Sequence, residues 1–427
     1  MTGYTSYWMA TAPGFTAAAG TPASSYDVAV VGAGFTGLTA ARALAKAGSN
    51  VAVLEAGAVG DGASGRNGGH LSNGLAHSYA AAAGALGQAG AHDLYHAFDR
   101  SIDIIEAIIS EESITCDFRR SGKLKLAVKP GHVEGLRANA KLIQAEADPE
   151  VRFLDRTELG SEIVSDLVHG GLLYPKSAMM HMGAYLHGLA HAVTRYGGQV
   201  FERQSVKAVQ RQGDGWRIDL PGSAVRAKHL ILAGGATGAH LSGHVGRQVL
   251  PIGSYIIATR PLTDAEIATT MPGRRTYVTS LNVGSYFRLT PDSRLIFGGR
   301  ARFSTKADQN AAAKSVPILR RTLGQLFPVL QGISVDHAFG GLVDMSRDRF
   351  PRLGQTPDGA HYAIGLSGSG AQISAYLGTA LADAVLGRTH RGASDPFVAL
   401  APHPFPPGAI WTIPVIGAYA RARDLLT

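Results

Sequence analysis

The sequence predicts an α/β fold whose first unit is a parallel strand, glycine turn, helix and second strand, and three observations predict it. Residues 27–31, Asp-Val-Ala-Val-Val, are a short β-branched run of the kind found in buried parallel strands. Gly32-Ala33-Gly34-Phe35-Thr36-Gly37 follows at once, and a helical pattern then runs from Leu38 to Ala47 and is closed by Gly48. A second apolar run, Asn50 to Leu54, ends at Glu55, about twenty residues beyond the glycines.

Each part of that unit has a physical reason. Gly32 permits the tight turn, Gly34 lets the backbone approach a pyrophosphate, and Gly37 lets helix and strand pack closely. Phosphates then sit at the positive end of the helix dipole, with Ala33, Phe35 and Thr36 supplying backbone around them. Glu55, followed by Ala56, would accept hydrogen bonds from a ribose 2′-hydroxyl and repel a 2′-phosphate, which disfavours NADP. FAD and NAD both remain open on these residues.

A chain of 427 residues exceeds the roughly 250–300 at which single cores stop growing, so two intertwined domains are expected. With 45% hydrophobic residues, 17% charged and 54 glycines, the composition is that of a globular α/β protein. The formal charge of +8 is spread along the chain without a run of five like charges, so no nucleic-acid partner is expected. The one cysteine, Cys116, has no partner for an intramolecular disulfide and reads as a buried free thiol. Residues 1–25 contain no Lys or Arg, and no apolar stretch of about 18 residues occurs, so neither a secretory signal nor a membrane span is expected. The cytoplasm is the expected compartment.

The rest of the chain separates FAD from NAD. Gly60-Asp61-Gly62-Ala63-Ser64-Gly65-Arg66-Asn67-Gly68-Gly69-His70 is dense in small residues and backbone donors with one arginine, which suits a long flat cofactor lying against main chain. Ser205 to Leu220 alternates like a hairpin, and Val225 to Leu232 reads as a strand running into Ala233-Gly234-Gly235. Near the C-terminus, the strand His361 to Leu366 leads into Ser367-Gly368-Ser369-Gly370-Ala371-Gln372 and a helix, Ile373 to Leu386. A glycine-rich turn launching a helix presents free N–H groups where a reduced flavin carries negative charge. No second strand, GxGxxG and helix unit occurs, so a separate nicotinamide site is not expected.

The stretches Asp27 to Leu38, Gly62 to Gly69, Leu230 to Gly235 and Gly365 to Ala371 resemble the FAD-dependent amine and amino-acid oxidases of the D-amino-acid oxidase and glycine oxidase superfamily. Within it the likeness is nearest to the γ-glutamylputrescine oxidases, supported by Ser6 to Ala12, Tyr286 to Asp292, Phe297 to Gly299, Gly341 to Pro351, His403 to Pro407 and Arg421 to Asp424. The resemblance implies a p-hydroxybenzoate-hydroxylase-like FAD domain of segments 1–90, 146–252 and 337–427, with an antiparallel-sheet substrate domain of 91–145 and 253–336. It implies that Gly32, Gly34, Gly37 and Glu55 hold the ADP half, that Ser64 to Gly69 lie along the pyrophosphate and ring, that Val206 contacts adenine and that Ser369 to Gln372 face the flavin. Where glycine oxidase and D-amino-acid oxidase carry an arginine for the substrate carboxylate, this chain reads Gly341-Leu342-Val343-Asp344. That departure points to a larger amine, γ-glutamylated or polyamine-like, with Asp344 as either an amine-attracting or a structural carboxylate.

The expected chemistry is hydride transfer from an amine to non-covalent FAD, hydrolysis of the imine to an aldehyde, and reoxidation by oxygen to hydrogen peroxide. Alternatives are an amino-acid oxidase, a dehydrogenase feeding a quinone or carrier, and a flavin-holding subunit without turnover. Tyr255, Tyr286, Arg288 and Arg300 are candidates for the substrate pocket, each equally readable as an ordinary sheet aromatic or surface arginine. His70 could approach the flavin, His181 reads as a packing or helix-capping residue, and the sixteen histidines show no metal pattern. Gly408 to Ala418 is expected to pack on the core.

Overall fold

The computed structural model describes residues 5–299, 303, 305, 308–388, 395–397 and 400–426, so candidate Arg300 lies outside the described residues. Its first sheet runs Arg352–Gln355, His361–Ile364, Ser223–Leu232, Ser25–Val31, Val51–Leu54, Gln199–Phe201, with the hairpin Ala208–Gln212 and Gly215–Leu220 added through Ser223–Leu232. The central strands are parallel, with Val28 registered on both Val51 and His229. Val51–Leu54 is buried throughout, as a parallel strand covered on both faces must be.

The helix after the glycine turn spans Phe35–Lys46, a turn earlier than the apolar pattern indicates, because extended Gly34 already serves as its N-cap. The late helix likewise begins at Gly370 and runs to Val385, so Gly370, Ala371 and Gln372 already belong to its first turn. These two helices touch closely: a Cβ on Gly378 would stand 2.6 Å from the carbonyl oxygen of Thr36. The late helix packs along the long helix Tyr79–Glu112, which kinks at Gly87, and the first helix is tied to that helix by the Arg42–Glu112 ion pair at 2.6 Å.

The second sheet runs Val335–Ser346, Val249–Pro261, Arg294–Gly299, Ser285–Leu289, Thr276–Thr279, Lys123–Ala127, Gly170–Tyr174, Arg152–Asp155. Its pairings are antiparallel except for Thr276–Thr279 with Lys123–Ala127. One face carries an apolar core in which Phe287 stacks on Tyr277 and Phe297 at 5.2 and 5.6 Å and meets Phe327 edge-on. The helix Gln309–Leu326 contributes Leu319 and Leu323 to that core. The opposite face looks into the cleft described below. Arg152–Asp155 and Gly170–Tyr174, which the sequence division puts with the first domain, hydrogen-bond into this second sheet.

At the C-terminus the sequence expectation needs correction. Ala409 and Ile413 are buried, but Trp411, Val415 and Tyr419 are exposed, so only one edge of Gly408 to Ala418 packs on the protein. No helix among the described residues is long and apolar enough to cross a membrane. Cys116 is buried, and desolvation pushes its thiol up to about 12. His181 caps the helix Met182–Arg195, its Nδ1 accepting from the Ala184 N–H at 3.1 Å.

Candidate active site

A cleft of about 730 Å³ runs between the two sheets. At one end it meets the glycine turn. Gly32 has φ of 103°, and a Cβ there would stand 2.8 Å from the carbonyl oxygen of Ala233. Gly37 is closer still, its Cβ position being 2.0 Å from the Gly32 carbonyl oxygen, so this is a packing glycine. Glu55 closes the second strand with its carboxylate fixed by backbone N–H donors, Ala33 at 2.8 Å and Gly57 at 3.0 Å. Gly34 has no side chain to cap the helix from Phe35, and among the described residues only the Phe35 N–H of its first turn goes to a side chain, Ser64, which leaves the N–H groups after it open to an anionic group.

The loop from Gly60 to His70 crosses the middle of the cleft and is braced from behind. Asn67 accepts from the Gly69 N–H at 2.9 Å and donates to the Ser64 carbonyl at 2.7 Å. The N-terminal helix Tyr7–Thr11 adds two struts: Ser6 Oγ donates to the Gly65 carbonyl at 2.6 Å, and Trp8 Nε1 donates to the Asn67 carbonyl at 2.7 Å. Ser64 in turn accepts from the Phe35 N–H at 3.0 Å, tying loop to glycine turn. Arg66 lines the cleft, its Nε donating to the Asp61 carbonyl at 2.8 Å.

At the far end, Gly365, Ser367 and Gly368 all have positive φ and fold the chain into the turn that launches the helix Gly370–Val385. Asp344 Oδ2 braces this turn, accepting from the N–H groups of Gly365 at 2.9 Å and Leu366 at 3.2 Å. Burial pushes the Asp344 carboxyl up to about 6 in spite of those donors. Ser369, Gly370, Ala371 and Gln372 line the cleft, and the helix end has no side-chain cap.

The structure therefore gathers most predicted residues onto one surface: Gly32 to Thr36, Glu55, Ala63, Ser64, Arg66 to Gly68, His70, Ala233 to Gly235 and Ser369 to Gln372. Gly37, Ala56, Gly69 and Val206 are not on it. Gly37 and Gly69 act through packing, and Val206 belongs to the apolar cluster beneath the hairpin. Of the pocket candidates, Tyr286 lines the cleft, hydrogen-bonded to Ser254 at 2.9 Å and flanked by Gly68 and Gly298. Tyr255 and Arg288 require correction. Tyr255 is fully buried in the core on the other face of the second sheet, and Arg288 is fully buried behind the Gly69 loop.

His70 is the informative neighbour of Tyr286, the two rings meeting edge-on at 5.7 Å. Burial holds its imidazole down to about 3, so the ring is neutral. Its Nε2 is buried without a hydrogen-bond partner among the described residues. A buried orphan polar atom facing a cleft fits a polar group bound there, and together with two uncapped helix ends and the glycine-lined floor it fits FAD.

Sequence reasoning missed Lys123, Lys125, His77 and Arg349, all of which line the same cleft. Lys123 donates to the Asn73 carbonyl at 2.7 Å and lies 4.0 Å from the Tyr174 ring centroid; burial brings its ammonium down to about 7. Burial also lowers Lys125 and Arg349, the charge of Arg349 adding to the effect on Lys125. The available signal was the Lys-Leu-Lys-Leu alternation of residues 123–126, which marks a strand with one apolar and one cationic face.

The chain is similar over most of its length to known proteins. The family described as FAD dependent oxidoreductase, DAO, matches residues 27–384. A probable oxidoreductase, OrdL, of Haemophilus influenzae is 32% identical over 379 residues, covering 86% of this chain and 84% of that protein. The gamma-glutamylputrescine oxidoreductase of Escherichia coli strain K12 is 30% identical over 405 residues, 94% of this chain and 93% of its own. Among solved structures, glycine oxidase from Geobacillus kaustophilus superposes with a TM-score of 0.76 at 22% identity, over 89% of this chain and 100% of that one. L-proline dehydrogenase from P. horikoshii gives 0.72 at 17% identity, over 87% and 96% of the two chains.

Proposed function

Because this chain belongs to the DAO family of FAD dependent oxidoreductases, we propose that it is an amine oxidase acting on the C–N bond of a γ-glutamylputrescine- or polyamine-like substrate. The carrying observation is the cleft itself, which joins the Gly32 turn and Glu55 to a second uncapped helix end at Ser369–Gln372 and opens on Tyr286 and neutral His70. The 30% identity to a gamma-glutamylputrescine oxidoreductase over 94% of this chain supports the substrate class.

Bound FAD supplies a two-electron acceptor for the hydride of the amine carbon. The overall conversion for a primary amine is amine, oxygen and water to aldehyde, ammonia and hydrogen peroxide, which balances atoms and electrons. The chain's part is positioning and electrostatics. Glu55 and the Gly32–Phe35 turn hold the ADP half, the Ala63–His70 loop supports the middle, and the helix end at Ser369–Gln372 offers N–H donors to negative charge. Tyr286 and Ser254 form one wall, and uncharged His70 lets an amine approach without repulsion. Neither Val343 nor the strand around it offers the arginine that would hold a small amino acid there. Asp344 serves the Gly365 turn, so we assign it a supporting role. FAD is held without a covalent bond in this reading.

Anaerobic titration of the flavin-loaded protein with amines and amino acids tests the proposal, read as loss of flavin absorbance. N-acylated diamines are expected to bleach the flavin, and peroxide to form on admitting air. Bleaching by simple amino acids alone would overturn the substrate class, and dye reduction without peroxide would overturn the oxidase assignment.

A further inference from the structure

The cations facing the cleft carry one step more. We propose that Lys125 and Arg349 form an anion-binding subsite that takes a carboxylate of the substrate, at a distance from the C–N bond being oxidised. This rests on the amine-oxidation reading for the identity of the substrate, though not for the existence of the subsite.

The strand Lys123–Ala127 sends Leu124 and Leu126 into the core of the second sheet, which leaves Lys123 and Lys125 on the cleft side. Burying ammonium groups costs free energy unless a partner compensates. Lys123 has such partners in the Asn73 carbonyl and the Tyr174 ring. Lys125 and Arg349, among the described residues, have neither a hydrogen bond from the side chain nor an ion pair. Both are only partly exposed, and both line the cleft.

Arg349 is not a loose surface arginine. It sits in the turn after the strand Val335–Ser346 with φ of 60°, its N–H bonded to the Ser346 carbonyl at 3.3 Å, so its backbone is constrained where the residue lines the cleft. The neighbouring acid cannot neutralise it, because Asp348 is paired with Arg352 and accepts from the Phe350 N–H at 3.2 Å. His77 completes the rim, its Nε2 bonded to the Asp348 carbonyl oxygen at 2.8 Å, and burial reinforced by Arg349 keeps it uncharged. The result is a half-dry pocket wall with two uncompensated cations and no acid of its own.

The pyrophosphate of the cofactor does not account for these charges. It belongs with the Gly32 turn, at the end of the strand Ser25–Val31 of the first sheet, and with Arg66 in the loop beside it, whereas Lys125 stands on the second sheet. A carboxylate does account for them: it offers two acceptor oxygens to the planar Arg349 fork while Lys125 supplies a point charge. The subsite therefore selects amines that carry a carboxylate some bonds away from the amine, and it replaces the anchor missing at Val343 by one on another strand.

Glutarate serves as probe, because its binding needs no turnover. In the FAD-loaded wild-type protein, glutarate is expected to perturb the flavin spectrum saturably and to weaken with added salt, while its uncharged diamide has no effect. Lys125→Met and Arg349→Gln should each weaken glutarate at least ~10-fold, and Lys125→Arg should restore it to within ~3-fold, as expected for charge-assisted hydrogen bonds. Absence of glutarate binding to the wild type, or equal binding by the variants, overturns the subsite. Flavin content and thermal unfolding of each variant confirm folding; if one variant misfolds, the other and the salt dependence of the wild type decide. Should no amine bleach the flavin while glutarate still discriminates the variants, the function above fails and the subsite stands.

Discussion

Arg288 donates from Nη1 to the carbonyl oxygen of Gly69 at 2.7 Å, from a side chain with no exposure. The same nitrogen donates to the Met180 carbonyl at 3.0 Å, and the guanidinium lies 5.3 Å from the Trp8 ring centroid. Burial pushes Arg288 down to about 9, still above neutral pH, so it holds the loop as a cation.

Replacing Arg288 by Met therefore removes the donors to three buried carbonyls, those of Gly69, Met180 and, from Nε at 3.1 Å, Leu289, at about 1–3 kcal/mol for each left unsatisfied. The variant is expected to unfold at lower temperature and to lose FAD on gel filtration, whereas Arg288→Lys, which keeps one donor, should lose less. Thermal unfolding and the absorbance ratio of flavin to protein check this. Unchanged flavin retention in Arg288→Met would contradict the bracing role.

Glycine substitutions separate packing from cofactor contact. A Cβ at Gly37 would stand 2.0 Å from the Gly32 carbonyl oxygen, whereas at Gly62 it would meet nothing within 4 Å. Gly37→Ala must push helix from strand, and overpacking of this kind costs about 1–3 kcal/mol or more. It should yield protein that is destabilised and poor in flavin, and Gly62→Ala protein that matches wild type in denaturant unfolding, so that any loss of colour in Gly62→Ala reports contact with the cofactor in the cleft it lines.

The contrast between these residues shows how much was legible in the sequence. The Gly32 turn and Glu55 could be read because their geometry is set within about thirty residues by strand, turn and helix. Tyr255 could not, because adjacent strand residues point to opposite faces: Ser254 reaches the cleft and Tyr255 the core, and a single sequence does not say which parity faces which. Arg288 shares its parity with Tyr286, yet what covers it comes from Trp8, Gly69 and Met180, distant in the chain. Lys125 was lost the same way, since a Lys-Leu-Lys-Leu strand reads as solvated until the first sheet is brought against it.

Asp344 gives a pH signature. Its carboxyl is raised from 3.8 to about 6, so between those values the folded state binds more protons than the unfolded chain. Its contribution to stability is present below pH 3.8 and is lost as pH rises through about 6. Asp344→Asn removes that loss while its amide oxygen can still accept from Gly365 and Leu366. Urea unfolding from pH 4 to 7 should show wild-type stability falling relative to the variant, with a slope of up to about 1.4 kcal/mol per pH unit. Asp344→Ala, which frees both N–H groups, should be less stable than either throughout.

Lys123 gives the opposite signature in another window. Its ammonium is lowered from 10.5 to about 7, so the folded state sheds the proton first. Below pH 7 both states are protonated and the penalty of burying the charge is complete. From there to 10.5 the unfolded chain holds more protons, and stability rises with pH until the penalty is gone. Lys123→Met orphans the Asn73 carbonyl, a cost of about 1–3 kcal/mol that does not change with pH. It also abolishes the titration. The difference in unfolding free energy between wild type and Lys123→Met is therefore expected to grow in favour of wild type by up to about 1.4 kcal/mol per pH unit between pH 7 and 10. A constant difference across that window would mean that Lys123 titrates as it does in water, and the dry character assigned to this wall of the cleft would be wrong.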